Sequence, residues 1–143
     1  MFNDQAEEAM NFYVSTFRDA NIVSTMPGPD GKVMGGTFEI DGQRFSCFNG
    51  GPKFNFSQGF SLMVRADDQN EIDHLYETLS EGGKQEPCGW LDDKFGVSWQ
   101  ITPPILLKLL FDPDREKADR VAQAMFKMTK IIIADLEAAA ATG

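Results

Sequence analysis

One pattern restricts the fold of this chain more than any other: an acid-capped amphipathic helix followed by short β segments, written twice. Ala6, Ala9, Met10, Tyr13, Val14 and Phe17 fall at the i, i+3, i+4, i+7, i+8, i+11 spacing of one helical stripe. Asp4 followed by Glu7 has the form of a capping box, in which acceptor side chains satisfy N–H groups of the first turn. The same Asp-Gln-x-Glu returns at 68–71, ahead of a second stripe made of Ile72, Leu75, Tyr76 and Leu79. Gly82-Gly83 then offers a residue tolerant of positive φ to end that helix. Identity between the halves is negligible, and capping boxes and stripes align at different offsets. The repeat is therefore architectural, not a demonstrated duplication.

Short β segments surround each helix. Residues 21–26 read as a strand that ends in the turn Pro27-Gly28-Pro29-Asp30-Gly31. Residues 32–40 set Met34, Phe38 and Ile40 against Val33, Thr37 and Glu39, and Asp41-Gly42 is a two-residue hairpin signal returning the chain through 43–48. In the second half, 59–66 alternates Phe60, Leu62, Val64 and Ala66 against Ser61, Met63 and Arg65, and further strands are expected at 84–90 and 96–102. Along the last of these, Phe95, Val97, Trp99 and Ile101 share one face, and Gly96, Ser98 and Gln100 the other.

With Met1-Phe2 as the stub of a leading strand, residues 1–56 form a βαβββ module. The second module, 57–143, lacks one strand by residue 102, and the β-branched run Lys130-Ile131-Ile132-Ile133 is the expected supplier. Pro103-Pro104 cannot continue a central strand, so a helical insertion over about 104–128 is expected in between. It comprises 105–111 and a longer helix opened by Asp112 and Pro113, with Ala118, Val121, Ala122, Met125 and Met128 as its stripe. Residues 135–141 read as a final helix. The expectation is an α+β chain forming a single domain over 1–143.

Composition narrows the function. The 22 acidic and 13 basic residues leave a net charge of −9 with no Lys/Arg cluster, which argues against nucleic acid. No apolar run approaches the ~20 residues of a membrane span, and Met1-Phe2-Asn3-Asp4 has no signal-peptide character. A cytoplasmic protein that touches no membrane is expected. Cys47 and Cys88 are too few for a disulfide framework or a CxxC site, and both are expected as buried free thiols. The lone His74 sits on the polar side of the second helix.

The stretch Cys88-Gly89-Trp90-Leu91-Asp92-Asp93-Lys94-Phe95-Gly96-Val97-Ser98-Trp99-Gln100-Ile101-Thr102-Pro103 is distinctive. Together with Gln5-Ala6-Glu7-Glu8-Ala9-Met10-Asn11-Phe12-Tyr13, Glu71-Ile72-Asp73 and Met128-Thr129-Lys130-Ile131, it resembles the PhnB-like proteins. These belong to the glyoxalase/bleomycin-resistance (vicinal oxygen chelate) superfamily and also carry the label 3-demethylubiquinone-9 3-methyltransferase family. The resemblance implies paired βαβββ modules in a cupped mixed sheet, the glyoxalase/bleomycin-resistance/dioxygenase-like fold. It also implies a ligand on the concave side and a homodimer. The family normally has several apolar residues ahead of Met1-Phe2, so this first strand reads as shortened or incompletely represented.

Metal-dependent members of the superfamily converge three or four His, Glu or Gln donors on a divalent ion. Here the strand positions offer only Glu39, Ser61 and Gln100, so no metal is expected, and no cofactor. The methyltransferase label asks for a Gly-rich strand-to-helix turn to hold S-adenosylmethionine, and none of Gly35-Gly36, Gly50-Gly51 or Gly82-Gly83 occupies such a turn.

If the apolar face of each strand packs under its helix, Ser98 and Gln100 point into the cup with Thr37, Glu39, Ser61 and Arg65. The other reading is that these faces meet solvent. Trp90 with Asp92 and Asp93 is a rim element, or else Asp93-Lys94-Phe95-Gly96 is a hairpin turn and the tryptophans are core. Phe45, Phe48, Phe54, Phe56 and Phe60 line an apolar pocket or fill a core. The expected ligand-binding set is Glu39, Arg65, Trp90, Ser98 and Gln100, with no catalytic residue assigned. The expected function is metal-independent binding of a small molecule by a homodimer. The alternatives are a glyoxalase-superfamily enzyme with a pH profile tied to Glu39, a demethylubiquinone-type methyltransferase, and a partner-binding dimer.

Overall fold

The computed structural model, which describes residues 1–142, places a helix on each of the two stripes. The chain divides into two compact units, Met1–Phe56 and the part from Ser57 onward. Each has its own sheet, and the two are described separately.

In the first unit, α1 (Ala6–Thr16) buries Ala6, Ala9, Met10 and Tyr13 of its stripe, and Phe17 at its C-cap is buried as well. It packs on an antiparallel sheet of β1 (Ala20–Pro27), β2 (Val33–Ile40) and β3 (Gln43–Phe48), in the order β1-β2-β3. Asp41 and Gly42 take φ of 48° and 79°, and Ile40 pairs with Gln43. Two successive positive φ values match the twist of the flanking strands, as the hairpin signal requires. Phe38 stacks on Phe45 at 5.3 Å and meets Tyr13 of α1 at 5.7 Å, forming the centre of this unit. The leading strand is reduced to one parallel bridge, Phe2 to Asn49.

The capping box at 4–7 does not form. The N-cap is Gln5, which makes no side-chain cap bond. The Ala6 N–H donates instead to Asn49 Oδ1 at 2.9 Å. The loop after β3 lies beside Phe2 and delivers a distant acceptor to the helix end, so the local pair is not used.

In the second unit, β4 (Leu62–Arg65) leads into α2 (Gln69–Ser80), and here the Asp68 cap does form, with Glu71 reaching back to the residue ahead of it. The Glu71 N–H donates to Asp68 Oδ1 at 2.8 Å, and the Asp67 N–H donates to Glu71 Oε2 at 2.9 Å. Ile72, Leu75, Tyr76 and Leu79 are all buried. The expected strand at 84–90 is instead two strands, β5 (Lys84–Gln85) and β6 (Trp90–Asp92), separated by a 3-10 turn at Pro87–Gly89. Pro87 lacks an N–H for a ladder, and Cys88 and Gly89 pass through positive φ, 63° and 83°. The Glu86 N–H rejoins the Trp90 carbonyl at 2.9 Å across the excursion. With β7 (Ser98–Thr102), the sheet runs β4-β7-β6-β5, with β4 parallel to β7 and the other pairs antiparallel.

The second module is therefore complete by residue 102, and the run at 130–133 supplies no strand. Those residues belong to a helical extension of α3 (Pro104–Leu110), α4 (Arg115–Phe126) and α5 (Ile133–Ala141). Leu106, Leu109, Val121, Ile131 and Leu136 form its core. α4 opens on Asp114, which accepts from the Lys117 N–H, and not on Asp112-Pro113. Ile131 is needed in this core. Its backbone finds a side-chain amide in place of a neighbouring strand: Gln69 Nε2 donates to the Ile131 carbonyl at 3.0 Å, and the Ile133 N–H donates to Gln69 Oε1 at 2.8 Å. Among the described residues, no helix is long and apolar enough to cross a membrane.

Candidate functional site

The register of the second unit's sheet sorts its side chains by face. Leu62, Trp99 and Leu91 stand opposite one another across β4, β7 and β6, and Trp99 and Leu91 are buried. Directly opposed residues share a face, so Met63, Gln100 and Trp90 form the corresponding row on the other side. Arg65 lies one alternation along β4 from Met63, and Ser98 one along β7 from Gln100, opposite Asp92. Four of the five expected ligand residues, Arg65, Trp90, Ser98 and Gln100, thus occupy one sheet face. Glu39 is in the first unit, on β2, with its carboxylate 3.1 Å from Arg44 Nε. Because Phe38 turns toward Tyr13 of α1, Thr37 and Glu39 turn away from that helix.

Hydrogen bonds organise the row. Gln100 Nε2 donates to Ser61 Oγ at 2.8 Å, which aims the amide and leaves its carbonyl oxygen as an acceptor. Ser98 is buried, and its hydroxyl donates to Asp92 Oδ1 at 2.7 Å. The second oxygen of Asp92 accepts from the Gln58 amide. The Arg65 guanidinium pairs with Asp67 at 2.8 Å with both side chains largely exposed. An exposed pair of this kind contributes about 0–1 kcal/mol, so it yields readily to a competing anion.

Ser61 and Met63 follow from the alternation of 59–66, and Asp92 from its pairing with Ser98. Gln58 lies in an irregular loop, and no periodicity could have marked it. Asp93 is not a rim residue. It is 3% exposed, and its carboxylate accepts from the N–H groups of Phe95 and Val97 and from Trp99 Nε1, at 2.9, 3.0 and 2.9 Å. It builds the β6–β7 turn and fixes Trp99 in the core.

Burial pushes the Cys47 thiol above its ordinary range, and burial does the same to Cys88. Neither is a ready thiolate nucleophile at neutral pH. His74 occupies an exposed position on α2. Among the described residues, no three His, Cys, Asp or Glu side chains stand together where they could hold a metal ion. S-Adenosylmethionine also finds no glycine-rich cradle: the segments leading into α1, α2 and α3 are Asn3-Asp4-Gln5, Ala66-Asp67-Asp68 and Pro103, none of them containing glycine. The residues present do not fit a doubly wound S-adenosylmethionine site. The first unit carries an open groove of about 700 Å³ lined by Asp4, Glu7, Glu8, Asp30 and Lys32 among others. None of the expected ligand residues lines it.

Residues 1–102 match the model of a family described as 3-demethylubiquinone-9 3-methyltransferase. Among solved structures, the PhnB protein from Bacillus cereus is similar at 36% identity, over 72% of this chain and 94% of that one, with a TM-score of 0.66. Protein PA1353 from Pseudomonas aeruginosa shares the fold at 21% identity, over 71% of this chain and 91% of that one, with a TM-score of 0.57. A search of curated proteins finds no match.

Proposed function

Because the chain belongs to the 3-demethylubiquinone-9 3-methyltransferase family of PhnB-like proteins, we propose that it is a metal-independent small-molecule binding protein. Its ligand lies on the face of the β4-β7-β6 sheet that carries Met63, Gln100 and Trp90. The observation that carries this reading is that in-register row, with Arg65 and Ser98 on the same face. Trp90 and Met63 offer flat and polarisable apolar surface. The Gln100 carbonyl oxygen accepts a hydrogen bond from the ligand, and Arg65 takes a weakly acidic group. Ser98 holds Asp92, the second acceptor of the row. Glu39 lies on the first unit's sheet and is not part of that row. A chain of net charge −9 disfavours strongly anionic ligands, so one acidic group is the most that Arg65 is expected to serve.

A thermal-shift screen of metabolites, with S-adenosylmethionine and Zn²⁺, Ni²⁺ and Mn²⁺ as separate arms, tests the proposal. Expected is a small molecule that stabilises the protein and loses at least tenfold in affinity on Trp90→Ala, measured by calorimetry. No stabilising molecule, or a hit indifferent to Trp90→Ala and Arg65→Ala, sinks the reading. Saturable S-adenosylmethionine binding would instead favour the methyltransferase label, and stoichiometric micromolar metal binding would overturn metal independence.

A further inference from the structure

The family match stops at residue 102, before α3, α4 and α5, yet the segment joining α4 to α5 is fastened to the turn that precedes Trp90. The Cys88 N–H donates to the Met128 carbonyl at 2.9 Å, and the Gly89 N–H donates to the Thr129 carbonyl at 2.7 Å. Both donors sit at positive φ, and for Cys88 that conformation is costly without outside support. Gly89 also lies tight against the same segment: a Cβ there would be 2.9 Å from Ile131 Cγ1 and 3.0 Å from the Ile101 carbonyl oxygen.

The segment is itself anchored on α2. The Gln69 amide bridges the Ile131 carbonyl and the Ile133 N–H, and its nitrogen also donates to Asp73 Oδ1 at 2.9 Å. The Lys130 ammonium stands 2.9 Å from Asp73 Oδ1 and 3.0 Å from Glu77 Oε1. Ile131 is fully buried in the core of the extension. Further along α2, the Tyr76 hydroxyl lies 2.8 Å from the Glu86 carbonyl oxygen and 3.0 Å from that of Trp90. The backbone on both sides of the excursion is thus held from α2, and its apex is held from the extension.

We propose that the helical extension is a positioning device for Trp90: Gln69, Lys130 and Ile131 fix segment 128–132 against Cys88 and Gly89, and that contact sets where the indole stands. Gln69 and Ile131 are positioning residues that touch no ligand. This deepens the reading of Trp90 as a ligand contact and rests on it for its functional meaning. It also gives a task to the helices that lie beyond the residues matched by the family model.

The test uses the full chain labelled with 5-fluorotryptophan, whose two tryptophans give two fluorine resonances assigned through Trp90→Phe. Gln69→Ala is expected to move the Trp90 line by more than its width and broaden it, while the Trp99 line, held by Asp93, stays. Ile131→Val, which removes one methyl group beneath Gly89, provides a milder variant should Gln69→Ala fold poorly, and is expected to give a smaller shift of the same line. Movement of the Trp90 line alone in either variant supports the proposal. No movement in either, or equal movement of both lines, overturns it. No ligand enters this measurement, so it can fail while the ligand screen succeeds, and the reverse.

Discussion

Single residues carry several of the decisions in this fold, and Tyr76 shows how. Periodicity placed it on the buried stripe of α2, where its ring is 1% exposed. Its hydroxyl reaches out of that stripe to the carbonyls of Glu86 and Trp90, and burial raises its pKa from 10.0 to about 12. A folded-state pKa above the unfolded one means that the folded protein holds the proton more tightly. The associated stability is fully present below pH 10 and is lost as pH rises toward 12. Urea denaturation across that window is expected to show this decline, and Tyr76→Phe to flatten it. An equal slope in both proteins would remove Tyr76 as the cause. Asp93 teaches the opposite lesson. The sequence left it between rim and turn, and only its three hydrogen bonds to the turn and to Trp99 decided the matter.

At the level of elements, the two capping boxes separate what is local from what is not. Asp68 accepts from the Glu71 N–H as the spacing predicts, because acceptor and donor lie within the first turn of α2, while the Glu71 carboxylate reaches the Asp67 N–H just ahead of the cap. Asp4 and Glu7 have the same spacing, yet Asn49 supplies the bond at the start of α1. Asp68→Ala is therefore expected to destabilise by about 1 kcal/mol, and Asp4→Ala to stay within about 0.5 kcal/mol of the parent. Comparable losses from both in chemical denaturation would contradict that assignment. The strand expected at 130–133 failed for a related reason. A β-branched run reports burial, and a helical core with a side-chain amide to bond the backbone buries Ile131 as well as a sheet would. The strand at 84–90 failed at Pro87, whose missing N–H was visible in the sequence and whose consequence, two strands in place of one, was not.

On the scale of the whole molecule, each unit carries the same order of elements. A short leading strand or bridge pairs in parallel with the last strand, and the helix lies between them in sequence. That order agrees with the glyoxalase-like fold of the PhnB-like family. Phe60, Phe111 and Phe126 are 73%, 79% and 61% exposed. The family resemblance carries the expectation of a homodimer, which a measurement of mass in solution tests. Sedimentation equilibrium at micromolar concentration is expected to return twice the chain mass, and a monomer under those conditions would count against it.

The sequence alone determined the two helices, the Asp41-Gly42 hairpin, and the alternation within 62–65 and 98–102, and hence which of those strand residues share a face. Each of these depends on neighbours a few positions apart, where periodicity and turn chemistry act directly. It also carried the family, through residues that stand close together in the chain. The strands expected at 59–66 and 96–102 are shorter than their patterns, and Phe60, expected on the apolar face, is exposed. Tertiary structure decided which acceptor caps α1, where the missing strand of the second module lies, and what role Ile131 takes. It also revealed that the turn before Trp90 is held by residues some forty positions later, at 128–131. Those outcomes depend on which distant group reaches an unpaired N–H or an unfilled space, and no local pattern encodes that.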